Sequence, residues 1–117
     1  MSCPHFIAHS MALRTATHLA HLSTKSYAHH EALGHFYDDL LDLADKYAEI
    51  YMGLEGHITK FPDVDLPQGI PVDMLEDYLE VLKEETQEDH DSQALLNVLA
   101  ELEELTARTI YKLKFLK

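Results

Sequence analysis

The chain has one cysteine, no tryptophan, four glycines and four prolines in 117 residues. A single thiol, Cys3, cannot close an intrachain disulfide, which excludes a small disulfide-stapled scaffold and agrees with a reducing compartment. Cys3 itself reads as incidental. Basic side chains are also scarce: nine Lys and Arg stand against 21 Asp and Glu, a net charge of −12. Binding to nucleic acid through a general field needs clustered Lys and Arg, so DNA is not an expected partner. The same charge suits a protein that gathers cations, or one that mimics a polyanion toward a basic partner. No run approaches the ~18 apolar residues of a membrane span, so no membrane association is expected. The opening MSCPHFIAHSMALRTATHLAHL lacks a basic start followed by an unbroken apolar run and does not read as a secretory signal. The expected compartment is the cytoplasm.

What is present is helical periodicity. Four helices are expected at about 4–24, 28–54, 71–87 and 90–116, with no competing strand pattern, repeat or low-complexity run. Residues 1–117 suit a single domain with a modest core. Pro4 is compatible with a first helical turn, and no further Gly or Pro interrupts the chain through Leu22. Ser23, Thr24 and Ser26 then mark a short break, so the first two helices should form an antiparallel hairpin. The second helix ends at Gly53-Leu-Glu-Gly56, where either glycine could take a positive φ. Pro62, Pro67 and Gly69 prevent the next segment from continuing a helix, and it is long enough to cross the bundle. Pro71 opens a third helix that buries Leu75, Leu79 and Leu82 beside Met74 and Tyr78. A polar turn over 86–91 precedes a fourth, with a core stripe of Leu95, Val98, Leu99, Leu102, Thr106, Thr109, Leu113 and Leu116. The expected fold is all-α: a four-helix bundle with one long crossover between helices two and three.

The second helix is two-faced. At about 100° per residue, Glu31, His35, Asp38, Asp42, Asp45 and Glu49 share a narrow arc. Leu33, Phe36, Leu40, Leu43, Ala44, Tyr47, Ile50 and Tyr51 lie opposite. Like charges at i, i+4 repel, and Lys46 is the only base near enough on this helix to relieve them. A cation on that face would remove the penalty. Nine histidines are the other excess, five of them (His18, His21, His29, His30, His35) within eighteen residues. Imidazole and carboxylate together suit ferrous iron and similar divalent ions, which bundles hold from facing helices. The candidate ligands are His21, His30, Asp45 and Glu49, with His35, Asp38 and Asp42 as secondary candidates. His30 and Asp45 are fifteen residues apart, about 22 Å along a helix, so one chain cannot bring all four to one ion. A single site requires the two histidines of one protomer and the two acids of another across a two-fold axis, giving two equivalent sites per dimer.

These residues carry a resemblance. AHL…SYAHHEALGHFYDDLLDLADKYAEIYMG resembles the Dps-like mini-ferritins of the ferritin-like superfamily. There a first helix ends in a His-Trp pair, a second opens with His-Glu, and the further metal carboxylates come as Asp-x-x-x-Glu before glycine. His21, His30, Asp45 and Glu49 match these positions, and DSQALLNVLAELEELTARTIYKLKFL is similar to the family's last helix. Two positions depart: Leu22 follows the first histidine, and Gly34 stands where an aspartate is usual. The resemblance implies a ferritin-like bundle, a ferroxidase centre shared between subunits, Fe2+/Fe3+ as the metal, and a homo-oligomeric cage of twelve chains. Iron oxidation, storage and detoxification would be its activity. The chain is also similar to short uncharacterised bacteriophage proteins, which implies the host cytoplasm as its compartment. The competing expectation is a non-enzymatic acidic helical protein on the same scaffold that binds a host protein.

The remaining residues read more plainly. His18 suits a buried, hydrogen-bonded histidine better than a second ligand, and His29 falls on the apolar side of its helix. Tyr47, Tyr51 and Tyr78 read as core. Lys112, Lys114 and Lys117 complement the dipole at a helix C-terminus.

Overall fold

The structure is a computed structural model and describes residues 1–88 and 92–117. Four helices account for most of them: α1 (Cys3–Ser23), α2 (Tyr27–Glu55), α3 (Pro71–Gln87) and α4 (Gln93–Phe115). All four expected segments fall within a few residues of these bounds. The expected polar turn and the start of the last helix fall partly on residues 89–91, outside the described residues.

Local chemistry sets the ends. The side chains of Ser2, Ser26 and Ser92 accept from the backbone N–H groups of His5, His29 and Leu95, each filling one donor that a first turn leaves without a partner. Proline sits in the first turn of both α1 and α3, where its missing N–H costs nothing. Of the two glycines considered for the end of α2, Gly56 takes the positive φ, at +111°, while Gly53 stays helical.

Contacts between the helices fix their directions. His21 meets His30, so α1 and α2 form the expected antiparallel hairpin. Ser10 bonds Tyr78 while the N-terminus pairs with Glu88, which runs α3 antiparallel to α1. Glu76–Lys114 and Lys46–Glu101 align α4 against α3 and α2. Helices α2 and α3 are therefore parallel, and the chain must travel the length of the bundle between them. Residues 56–70 do so along α1, with Phe61 to Leu66 beside Ile7 and Met11, and Leu66 to Gly69 beside Leu19 and Ala20. The fold is an all-α four-helix bundle with one long crossover.

One hydrophobic core joins the four helices. Phe6 packs edge-on against Tyr47 and stacked with Tyr78, all fully buried, so Tyr47 and Tyr78 lie in the core as expected, while Tyr51 is only half-buried against it. The Tyr78 hydroxyl donates to Ser10 Oγ at 2.7 Å, since Ser10 gives its own proton to the Phe6 carbonyl. Buried Thr17, Thr106 and Thr109 return their hydroxyls to carbonyls four residues back, which lets polar residues occupy core positions. Two core expectations need correction. Leu79 is only half-buried, and Leu116 is exposed because α4 ends at Phe115 and no neighbour covers the residue after it.

Burial of Glu85 was not foreseen. It sits in the core on α3 and accepts from the Tyr47 hydroxyl at 3.4 Å. Burial, followed by the Glu85 and Glu88 carboxylates, pushes the nearby Cys3 thiol up to about 12. Cys3 is therefore held protonated at neutral pH and is a poor nucleophile and a poor metal ligand, in line with its incidental reading.

Candidate metal site

The hairpin brings two of the four candidate ligands together. The His21 and His30 rings stack with centroids 3.7 Å apart and planes 19° from parallel. Their hydrogen bonds are reciprocal: Nδ1 of His21 lies 2.6 Å from the carbonyl oxygen of His30, and Nδ1 of His30 lies 2.8 Å from the carbonyl oxygen of His21. A carbonyl can only accept, so both Nδ1 atoms carry the proton. In the neutral ring each Nε2 then keeps a lone pair. Fixing one ring nitrogen on a backbone carbonyl to orient the other is the arrangement that protein metal sites use to prepare a histidine ligand.

This pairing depends on local sequence. The break at 24–26 is short enough that the last turn of α1 lies against the first turn of α2. Gly34, one turn beyond His30, leaves room for the ring. A Cβ at that position would stand 3.0 Å from Cε1 and 3.2 Å from Nδ1 of His21. The glycine is thus part of how the imidazole is seated. Tyr37, one turn further, closes the other side: His18 stacks on it at 4.0 Å and His21 meets it edge-on at 5.3 Å. The expected hydrogen-bonded setting for His18 is replaced by this ring contact. His29 is half-buried, with its backbone N–H on the Ser26 cap.

The acidic face of α2 is as expected: Glu31, His35, Asp38, Asp42, Asp45 and Glu49 are all exposed, while Leu33, Phe36, Leu40, Ala44 and Tyr47 are buried. His21, His30, Glu31, His35 and Asp38 line one shallow depression floored by Gly34 and Tyr37. Asp45 and Glu49 lie beyond it, further along α2. Among the described residues of a single protomer, no three His, Cys, Asp or Glu side chains stand close enough to hold a metal ion. Lys46 does not relieve the ladder as expected, because its ammonium reaches across to Glu101 on α4 at 3.7 Å. The five carboxylates of the α2 face therefore stand without a basic neighbour from their own helix. His35 also faces α4, sharing a second depression with Glu101, Glu104 and Arg108.

Sequence reasoning missed Arg14 and Tyr37. The Arg14 guanidinium lies over the Tyr37 ring, 5.3 Å from its centroid, and its buried Nε has no hydrogen-bond partner. The available signal was the spacing of Arg14, His18 and His21, which places all three on one face of α1.

A family model described as "Family of unknown function (DUF5856)" matches residues 21–113, and the chain belongs to that family. Over 65 residues the chain is 37% identical to an uncharacterized 14.6 kDa protein of the mobD-ri intergenic region of Enterobacteria phage T4. The match covers 56% of this chain, which spans 50% of the length of that phage protein. No solved structure matches. No helix among the described residues is long and apolar enough to cross a membrane.

Proposed function

We propose that the protein is a mini-ferritin-like iron protein that binds Fe2+ between two subunits and promotes its oxidation. His21 and His30 of one protomer, and Asp45 and Glu49 of another, would hold the ion. The observation that carries this reading is the reciprocal Nδ1–H bonding of the histidine pair, which leaves both Nε2 lone pairs available beside a dense carboxylate face. Imidazole tolerates ferrous iron, and carboxylates balance the added charge of ferric iron.

Two ferrous ions each give one electron to a peroxide, which takes up two protons and leaves as two waters; dioxygen is the other candidate oxidant. The chain's own contribution is to orient the imidazoles, to concentrate cations along α2, and to leave Asp42 free as a transfer site toward the ligands. Stored ferric mineral would need a cavity, so the reading includes a homo-oligomeric cage of about twelve chains built from two-fold dimers. A gene product of the phage kind would act in the host cytoplasm.

The likeness to an uncharacterized phage protein and the glycine at position 34 favour a second reading, in which the exposed acidic face of α2 binds a basic host protein without metal chemistry. Anaerobic titration of the purified protein with Fe2+ separates the two. The iron reading expects saturable uptake of at least one ion per protomer, followed on addition of peroxide by ferric absorbance. No uptake, or uptake indifferent to replacement of both His21 and His30, would overturn it.

A further inference from the structure

We propose that a second copy of this chain docks antiparallel against the α1–α2 face, and that Arg14 of each protomer pairs with Asp38 of its partner beside the two-fold axis. The inference rests on the shared-site reading above for its register. If His30 stands opposite the Asp45–Glu49 turn of an antiparallel partner helix, counting inward along both copies of α2 reaches the axis at Asp38–Asp39. Two exposed Asp38 carboxylates, one from each chain, then approach each other at the centre of the contact. Like charges so placed oppose association unless a cation joins them.

That cation is already in place. Arg14 is the only Lys or Arg in the first 24 residues, and it lies over Tyr37, next in sequence to Asp38. Its Nε is buried without a partner, and it forms no ion pair with a carboxylate among the described residues. A guanidinium on an aromatic face, with its donors uncommitted, is suited to bidentate capture of a carboxylate. The flank of the site is apolar and open: Tyr27, whose ring lies 6.5 Å from that of His30, is 77% exposed, and Leu22, next in sequence to His21, is 65% exposed. Apolar surface at one end and opposite charges at the centre make the face complementary to itself, as a two-fold contact requires.

Sedimentation in the presence of a chelator tests the pairing without involving iron. Arg14→Asp and Asp38→Arg, each alone, are expected to weaken dimerisation at least ten-fold with helical circular dichroism retained, and the double variant to restore it. Should Arg14→Asp lose its helical signal, Arg14→Glu replaces it in the same cycle. A monomeric wild type, single variants that associate like wild type, or a double variant as dissociated as the singles would overturn the pairing. Dimers that obey the charge exchange but take up no iron would instead defeat the iron reading. Iron-loaded dimers indifferent to the exchange would defeat the pairing alone.

Discussion

Replacing Glu49 with alanine is expected to slow ferrous oxidation by about 100-fold or more while leaving helical content and thermal stability near wild type. The side chain is exposed and contributes nothing to the core, so its loss has no packing penalty. For the metal the loss is large, because removal of even an outer partner of a ligand costs about 10–100-fold in affinity or activity. Neighbouring acids do not replace it: Asp42 is two turns back along α2, and Asp45 already serves as its companion. Stopped-flow absorbance of the ferric product reads the effect, and wild-type rates in Glu49→Ala would remove the carboxylate from the site.

Gly34→Ala should give the opposite profile, an intact or slightly firmer helix and a damaged site. In an exposed helix interior the exchange of Gly for Ala gains about 1 kcal/mol from backbone entropy. Here the added Cβ would press on His21 at 3.0 Å from Cε1. The ring has little room to retreat, held by a 2.6 Å hydrogen bond on one edge and the His30 ring on one face. It must give by a few tenths of an ångström, which strains the bond that fixes its tautomer. The expected result is a melting temperature within a few degrees of wild type with Fe2+ affinity at least ten-fold lower. Unchanged affinity would mean that the stacked pair is not the binding form. Calorimetric titration and thermal melting, run on the same sample, measure both arms.

The second prediction also shows where sequence reading stops. At the sequence level Gly34 is a missing carboxylate, judged against a resemblance. In the fold it is the space that an imidazole from another helix occupies, and that relation exists only after α1 and α2 are docked. The two faces of α2 were legible because a 3.6-residue period sorts side chains without any tertiary knowledge, and the short break after Ser23 was enough to place His21 near His30. Lys46 was misjudged for the converse reason. A long flexible side chain chooses its partner from whatever lies within reach, and α4 supplies Glu101. Arg14, Tyr37 and the buried Glu85 likewise acquire meaning only from interhelical register, which composition and periodicity do not encode.

Separation of the ligands by about fifteen residues on one rigid helix makes the iron account depend on two chains. Subunit complementation addresses this directly. One variant lacks both histidines (His21→Ala, His30→Ala) and the other lacks both acids (Asp45→Ala, Glu49→Ala), and each alone should be inactive in ferrous oxidation. Unfolded and refolded together, they form some mixed dimers, in which one site regains all four ligands and the other loses all four. The account predicts ferrous oxidation in the mixture at up to about a quarter of the wild-type rate, from random pairing with one intact site per mixed dimer. A mixture that forms mixed dimers yet stays as inactive as its components would contradict it.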